Sequence, residues 1–226
     1  MHTIEFKYLP KDPEQKILDA GCGDGRHLQV AQKWNFKNLS GIDLDEESLT
    51  KAKNRFNNNY PQLDVGSLEN LPYPDNHFDI SICSEVLEHV QNVDAALNNL
   101  YRTTRKGGIC AISVPRFWPE KICWLLSKEY PKTPGGHLRI FKAKKLKKAI
   151  EEKGFKIYRT HYAHAFHSPY WWLRCLLWQQ QNSNALIKRF ENFLVKVMFK
   201  YDLKTHPIEK LLNPILGKSL VIYAKK

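Results

Sequence analysis

The feature that most constrains the fold of this 226-residue chain is a glycine-rich turn, with the sequence ILDAGCGDG at residues 17–25. An apolar run leads into the turn and a predicted helix, Arg26–Lys33, follows it. Glycines at 21, 23 and 25 allow a tight turn and leave no Cβ where a ligand meets the main chain. The helix N-terminus attracts a negative group such as a carboxylate. Asp43 ends the next predicted strand, where a doubly wound fold places an acid against ribose hydroxyls.

The spacing of the glycines argues against a nicotinamide site. Dinucleotide-binding turns have the pattern GxGxxG, which leaves room for a pyrophosphate. This chain has GxGxG, and Asp19 precedes it. An extra acid suits a ligand with a cationic amine better than one with two phosphates. A glycine turn that serves structure alone is disfavoured as well, because Asp43 follows at the expected distance.

Strands and helices are predicted to alternate through the first half of the chain. Predicted strands cover residues 16–20, 39–44, 78–84 and 108–114, and predicted helices cover residues 26–33, 45–56 and 92–105. Lys106-Gly107-Gly108 is expected to stop the last of these helices. Such alternation indicates right-handed crossovers and a mostly parallel sheet, so we expect a doubly wound, Rossmann-like α/β fold.

The second half has a different character. Residues 116–137 are expected to be irregular, 141–153 to form an amphipathic helix, and 155–162 and 218–224 to be strands that pair with each other. Between those strands lies an aromatic-rich, helical insertion at about 163–216. We therefore predict a single domain over 1–226, with a cofactor-binding half at 1–115 and a substrate-side half at 116–226.

Composition narrows the class of protein only a little. The formal net charge of +12 indicates either anionic partners or a lysine-rich solvated surface. Five dispersed cysteines argue for reduced thiols, and neither a secretory signal nor a membrane-spanning run is apparent, so we expect a cytoplasmic protein without a transmembrane segment.

Several motifs in register resemble the class I S-adenosylmethionine-dependent methyltransferases, in their small-molecule subgroup. They are ILDAGCGDG, GIDLD, LPYPDNHFD, SEVLEHV and LYRTTRKGGICAISVP, within residues 16–155. The resemblance implies S-adenosylmethionine as the cofactor, and a seven-stranded sheet with an antiparallel last strand. The cofactor-binding residues that it implies are Asp19, Gly21, Cys22, Gly23, Asp43, Leu44, Ser67, Leu68 and Cys83. In that family Gly21 and Gly23 would face the methionine moiety, and Asp43 the ribose. Leu44 would pack on the adenine, where Ser67 replaces the usual aspartate.

The segment SEVLEHV, residues 84–90, carries the candidate catalytic groups. If it is helical, Glu85, Glu88 and His89 share one face. In one interpretation His89 is a general base or orients the substrate, held by Glu85. In another, ExxEH with the later His137 resembles the metal-binding pattern of ubiquinone-pathway O-methyltransferases and small-RNA 2′-O-methyltransferases. In the third the segment is structural. We assign His89, Glu85 and His137 as catalytic candidates and no metal.

The acceptor is expected at the aromatic-rich end of the chain. Five of the six tryptophans follow residue 115. They suit a lid over a hydrophobic acceptor, contact with a membrane interface, or a small core of their own. His161, His164 and His167 recur at a spacing of three, but no carboxylate accompanies them in the sequence, which argues against a metal site.

The predicted activity is therefore methyl transfer to a hydroxyl of a small, hydrophobic or lipid-linked acceptor. Peripheral membrane contact is compatible with this activity. The alternatives are an RNA methyltransferase, which the net charge favours, and a non-catalytic, cofactor-binding accessory subunit.

Overall fold

The computed structural model describes residues 3–56, 61–133, 136–201 and 206–226. Its strands are β1 (Lys16–Ala20), β2 (Asn38–Asp43), β3 (Gln62–Val65), β4 (Phe78–Ser84), β5 (Thr104–Pro115), β6 (Lys156–Ala163) and β7 (Ser219–Lys225). Its α-helices are α1 (Arg26–Lys33), α2 (Glu46–Arg55), α3 (Val93–Thr103), α4 (Phe117–Leu126), α5 (Ala143–Glu152), α6 (His167–Leu176), α7 (Ala185–Tyr201) and α8 (Pro207–Leu216).

The strands form a seven-stranded sheet in the order β3-β2-β1-β4-β5-β7-β6. β1 to β5 are parallel, and β7 runs antiparallel to both of its neighbours, β5 and β6. The predicted doubly wound fold with an antiparallel last strand is confirmed. The strand order reverses between β1 and β4, and ligands of such folds bind outside the carboxyl ends of the strands at that point.

Short-range signals in the sequence place the first helices. Asp45 begins α2, and its carboxylate accepts hydrogen bonds from the backbone N–H groups of Glu47 and Ser48. Asn92 begins α3 in the same way, by accepting from the N–H of Ala95. These side chains satisfy donors that have no partner within the helix. The crossovers therefore start where the sequence predicts them.

Two predictions about local structure were wrong. Residues 117–126 form α4 instead of an irregular segment, because Pro119 lies in the first helical turn, where its missing N–H costs no hydrogen bond. Lys106-Gly107-Gly108 lies inside β5 and does not follow α3, which ends at Thr103. Gly107 has a φ of +75°, a conformation open to glycine, and the register of β4 against β5 shifts near this point.

Both faces of the sheet are covered, and the two halves of the chain share the core. One buried cluster joins Leu18 of β1 with Ile150 of α5, and the other joins Ile17 of β1 with Tyr223 of β7. A small third cluster lies within the insertion and contains Tyr170, Ile187 and Leu194. The insertion thus adds a small core of its own to a shared sheet.

Candidate active site

The glycine-rich turn forms a cradle at the carboxyl end of β1. The N–H groups of Gly21 and Cys22 both donate to the carbonyl of Ile42, at 2.7 and 3.0 Å. The N–H of Gly23 donates to Oδ2 of Asp43 at 2.7 Å. The cradle and the acid at the end of β2 therefore lie side by side, as the sequence predicts.

The glycines of the cradle serve different purposes. Gly21 has a φ of +80°, and a Cβ there would lie 2.3 Å from a methyl group of Val86. Gly23 has a φ of +51°, and a Cβ there would meet no atom within 4 Å. Gly21 is thus required by packing within the protein, whereas Gly23 faces open space on the side where a ligand would lie.

Asp19 is a buried acid without a hydrogen-bond partner. Its side chain is 1% exposed, and neither carboxylate oxygen makes a hydrogen bond. Nδ1 of His27 lies 4.0 Å from Oδ2 of Asp19, a distance that gives an ion pair when the imidazole is protonated. Burial, together with the charge of Asp43, raises the pKa of Asp19 well above its usual range. An isolated buried carboxylate is costly, so a cationic ligand at this place would relieve that cost.

The remaining predicted cofactor residues lie near the carboxyl ends of β2, β3 and β4. Leu44 is 70% exposed, so its apolar side chain is accessible to a flat ligand, whereas Leu68 and Cys83 are buried. The hydroxyl of Ser67 accepts a hydrogen bond from the N–H of Glu69 and so begins the 3-10 helix Leu68–Asn70. The Glu69 carboxylate accepts from the N–H groups of residues 91 and 92, which gives it a structural role.

The segment after β4 is a turn and not a helix. Glu85 adopts a φ of +56° and accepts a hydrogen bond from the hydroxyl of Ser113 at 2.8 Å. Nδ1 of His89 lies 3.3 Å from the carbonyl oxygen of Gly136. The expectation that Glu85 holds His89 is therefore wrong, since Glu85 is directed toward β5.

His137, the third catalytic candidate, pairs with a buried acid that the sequence analysis did not single out. Nδ1 of His137 lies 2.6 Å from Oε1 of Glu120, a residue of α4 that is 0% exposed. Nζ of Lys218 lies 3.5 Å from the other carboxylate oxygen of Glu120. Burial alone would raise the pKa of Glu120, but the His137 hydrogen bond and the Lys218 charge lower it to about 2. Glu120 is thus ionised and fixes the imidazole of His137.

Glu88, His89 and His137 come together at the same place. One ligand atom from each lies within 4.8 Å of the others, and the rings of His89 and His137 are 5.1 Å apart. The Glu88 carboxylate is 0% exposed, and neither oxygen makes a hydrogen bond. Burial and the charge of Glu85 raise the pKa of Glu88 well above its usual range. This mixed donor set fits a divalent metal ion.

A cavity of about 410 Å³ opens beside His137. It is lined by Tyr130, Thr133, Gly136, His137, Trp171, Arg174, Trp178, Gln181, Asn182 and Lys218. The lining residues come from the substrate-side half of the chain. The cavity is therefore the candidate acceptor pocket.

The three histidines near the end of β6 separate into two environments. His161 lies on β6 with its ring stacked on Tyr223, 5.7 Å away. His164 and His167 lie with Glu209 of α8, each offering a ligand atom within 4.8 Å of the others. A carboxylate thus does accompany two of the histidines, contrary to the sequence analysis. It comes from a residue more than 40 positions away, which the spacing of the histidines does not reveal.

Glu120 was missed because it lies in a segment expected to be irregular. The signal was nevertheless present, since Glu120 is the only acid in the apolar run FWPEKICWLL. A single acid within an apolar helix requires a buried partner. That partner, His137, is 17 residues further along the chain.

The strand order, the glycine cradle and the acid at the end of β2 define the class I S-adenosylmethionine-dependent methyltransferase fold. A family model described as a methyltransferase domain matches residues 3–160. The chain therefore belongs to the methyltransferase domain family, and the resemblance in its motifs is confirmed.

Individual relatives agree with this assignment. A probable S-adenosylmethionine-dependent methyltransferase of Mycolicibacterium smegmatis is 28% identical over 162 residues, 70% of this chain and 59% of that protein. A ubiquinone biosynthesis O-methyltransferase of Rickettsia bellii is 28% identical over 153 residues, 63% of this chain and 62% of that protein. The chain spans about three fifths of the length of these two relatives.

A solved structure agrees in fold. An S-adenosylmethionine-dependent methyltransferase from Mesorhizobium loti matches with a TM-score of 0.63 and 17% identity, over 96% of this chain and 94% of that one. In the part of the chain that the structure describes, no helix is long and apolar enough to cross a membrane.

Proposed function

We propose that this chain transfers a methyl group from S-adenosylmethionine to a hydroxyl of a small acceptor held in the cavity beside His137. The observation that carries the proposal is that two sites lie at the carboxyl edge of the sheet: one that suits a cationic ligand, and one where a buried acid holds a histidine. Asp19, whose carboxylate makes no hydrogen bond, and the open space at Gly23 suit a cationic ligand, and the Glu120–His137 pair lies beside a cavity. The relatives include O-methyltransferases, which supports oxygen as the atom that accepts the methyl group.

The cofactor fits the residues of the cradle. Asp19 would face the cationic part of the ligand, the Gly23 turn would admit its main contact with the backbone, and Asp43 would accept from its ribose hydroxyls. Leu44 would cover one face of its adenine. When bound, S-adenosylmethionine supplies an electrophilic methyl group on a positively charged sulfur. Every other contribution comes from the protein, chiefly by alignment and by exclusion of water.

His137 acts as the general base in this proposal. In the neutral tautomer that donates Nδ1–H to Glu120, the lone pair lies on Nε2, which can take the proton of an acceptor hydroxyl. The ionised Glu120 then stabilises the imidazolium that forms, as buried acids do in catalytic triads. The rings of His89 and His137 are 5.1 Å apart. Burial lowers the pKa of His89, and a positive charge on His137 during turnover would lower it further.

A divalent metal ion is the alternative to a free base. Glu88, His89 and Nε2 of His137 would hold it, and Glu120 would orient His137 from behind. The specific observation in favour is the buried carboxylate of Glu88, which makes no hydrogen bond and lies 3.9 Å from Nε2 of His89. Turnover that survives exhaustive chelation would exclude this alternative, and loss of turnover restored by Mg²⁺ or Mn²⁺ would replace the free base with it.

A membrane surface and RNA are the two alternative partners. Large apolar side chains are exposed on the helices of the substrate-side half, at Leu125, Leu176, Leu186, Leu211 and Ile215. They favour an acceptor presented at a membrane surface, which co-sedimentation with lipid vesicles tests. The lysines of α5 favour RNA less, because they form the solvated face of an amphipathic helix. Salt-sensitive RNA binding would revive that alternative.

Calorimetric titration with S-adenosylhomocysteine tests the cofactor. We expect micromolar binding by the wild-type protein and at least about tenfold weaker binding by Asp43→Ala, which loses charge-assisted hydrogen bonds. Asp45→Ala is the matched control, because Asp45 caps α2 and does not face the cradle. If the wild-type protein does not bind S-adenosylhomocysteine, the proposed activity and the assignment of the cofactor both fail. The methyltransferase fold would then have a structural role alone.

An acceptor screen with labelled S-adenosylmethionine tests the base. Once an acceptor is found, His137→Ala should lower kcat by about 100-fold or more and leave S-adenosylhomocysteine affinity nearly unchanged. Glu120→Gln should give a smaller loss of kcat, because the imidazole remains but loses its ionised partner. Wild-type turnover by His137→Ala would transfer the role to another residue, and His89→Ala is the variant to compare.

A further inference from the structure

The cavity beside His137 has aromatic walls. The rings of Tyr130 and Trp171 are 5.7 Å apart, and those of Tyr130 and Trp178 are 6.1 Å apart. Aromatic walls around a volume of about 410 Å³ suit a small ligand with a flat or cyclic body. His137 lines the same cavity. A hydroxyl on such a ring would therefore lie near the imidazole.

Two cations also line the cavity, and they are compensated differently. Lys218 lies 3.5 Å from the ionised Glu120, so its charge is largely balanced within the protein. Arg174 donates from Nη2 to the side-chain carbonyl of Gln181 at 2.7 Å, a neutral acceptor. Among the described residues no carboxylate forms an ion pair with Arg174, and its Nε is buried without a hydrogen-bond partner. The cavity thus carries one uncompensated positive charge.

The guanidinium of Arg174 is held in place for recognition. Its central carbon lies 4.9 Å from the centre of the Trp171 ring, and the bond to Gln181 fixes one end. A stacked, fixed guanidinium presents its remaining donors as a rigid fork that matches carboxylate and phosphate oxygens. Because Arg174 lines the cavity, an anionic ligand there would be attracted by this positive charge.

We propose that the acceptor pocket recognises a cyclic hydroxyl compound that carries a carboxylate or a phosphate, with Arg174 binding the anion and Trp171 and Trp178 flanking the ring. The identity of the bound molecule as the methyl acceptor rests on the proposed function. The binding of the anionic compound does not rest on the proposed function, because residues of this chain alone line the cavity. Arg174 is thus a specificity-determining residue for the acceptor.

The test is a calorimetric titration of the full chain with matched probes. 4-Hydroxybenzoate and phenyl phosphate supply the two anions, and 4-hydroxybenzyl alcohol is the neutral control. We expect saturable binding of at least one anionic probe, at least about tenfold tighter than the neutral one. The anion that binds more tightly identifies the source, carboxylate or phosphate. Equal binding of neutral and anionic probes, or no saturable binding of either anion, overturns the proposal.

Variants separate a specific contact from general attraction to a basic protein. Arg174→Gln should weaken the anionic probe at least about tenfold and leave the neutral one unchanged, whereas Arg174→Lys should recover only part of the loss. Arg189→Gln removes the same charge from the exposed face of α7 and should change nothing. Thermal melting of each variant confirms that it is folded. Anion binding without S-adenosylhomocysteine binding would sustain this inference while the proposed activity fails, and the reverse result would sustain the activity alone.

Discussion

Three buried acids at the carboxyl edge of the sheet differ in what surrounds them, and the difference separates their roles. Glu120 has a histidine and a lysine as partners, so it is ionised and can orient His137. Asp19 and Glu88 are as deeply buried, but their carboxylate oxygens make no hydrogen bonds. Burial of a carboxylate without hydrogen bonds destabilises a protein, and this cost makes Asp19 and Glu88 the candidate positions for a cationic ligand.

The first prediction concerns the stability that Asp19 costs. Its pKa is raised in the folded state, so the unfolded chain loses the proton first, and stability falls as pH rises above the ordinary value of 3.8. Asp19→Asn should therefore raise the Tm of the ligand-free protein at pH 8 by at least about 3 °C, with a smaller gain at pH 4.5. The variant should also lose S-adenosylhomocysteine affinity. Differential scanning fluorimetry at both pH values measures the gain.

Asp24→Asn is the matched control for this prediction. Asp24 lies in the same turn but is paired with Arg26 and Arg55 at the surface, so its removal should not stabilise the fold. A gain for Asp19→Asn that is equal at the two pH values would show that packing, and not the buried charge, is the cause.

At the scale of residues, the sequence predicts what local spacing determines. The glycine turn, with Asp19 before it and Asp43 at the end of the next strand, follows from a strand that enters a tight turn. The pair of Glu120 and His137 does not follow, because α4 and the segment at residue 137 approach each other only in the folded chain. The Arg174 site is hidden for the same reason, since its donors depend on how α6 packs.

The turn between β1 and α1 is the element on which the site depends, and its glycines separate folding from binding. Gly21→Ala would place a Cβ 2.3 Å from Val86 at a positive φ. Gly23→Ala would add only the cost of the left-handed conformation, because no protein atom lies within 4 Å of the new Cβ. The two substitutions are chemically identical and lie two positions apart.

The second prediction follows from this contrast. Gly21→Ala should lower the free energy of unfolding by about 2–4 kcal/mol, the sum of overpacking and backbone strain. Gly23→Ala should cost about 1 kcal/mol but weaken S-adenosylhomocysteine at least about tenfold, because its methyl group enters the space meant for the ligand. Urea denaturation and calorimetry measure the two effects. Equal destabilisation by both variants would contradict the assignment of packing to one glycine and binding to the other.

At the scale of elements, the predicted and observed structures diverge where tertiary context overrides local signals. The parallel strands were placed within a few residues, because buried parallel strands are continuous apolar runs. β3 (Gln62–Val65) was not predicted individually, since this short and partly exposed edge strand has no such run. α4 was missed because a proline in the first turn of a helix resembles a breaker in sequence alone.

The whole molecule has one sheet that both halves share and one insertion that they do not. β5, β6 and β7 join the cofactor-binding half to the substrate-side half in a single hydrogen-bonded sheet. Within the insertion, α7 contributes few buried side chains. Of the side chains that the structure describes on α7, only Ile187 and Leu194 are buried. We therefore expect the sheet to unfold as one cooperative unit and α7 to open independently at a lower free energy.

The third prediction tests this division by hydrogen exchange. In the ligand-free protein the amides of α7 should exchange at least about 100-fold faster than those of β4 and β5, because opening α7 exposes little apolar surface. S-adenosylhomocysteine should slow exchange in the turn at residues 21–25 and leave α7 unchanged. An anionic probe bound in the acceptor pocket should slow exchange in α6, which carries Trp171 and Arg174. Equal protection of α7 and the sheet would instead show that the insertion belongs to the same cooperative unit.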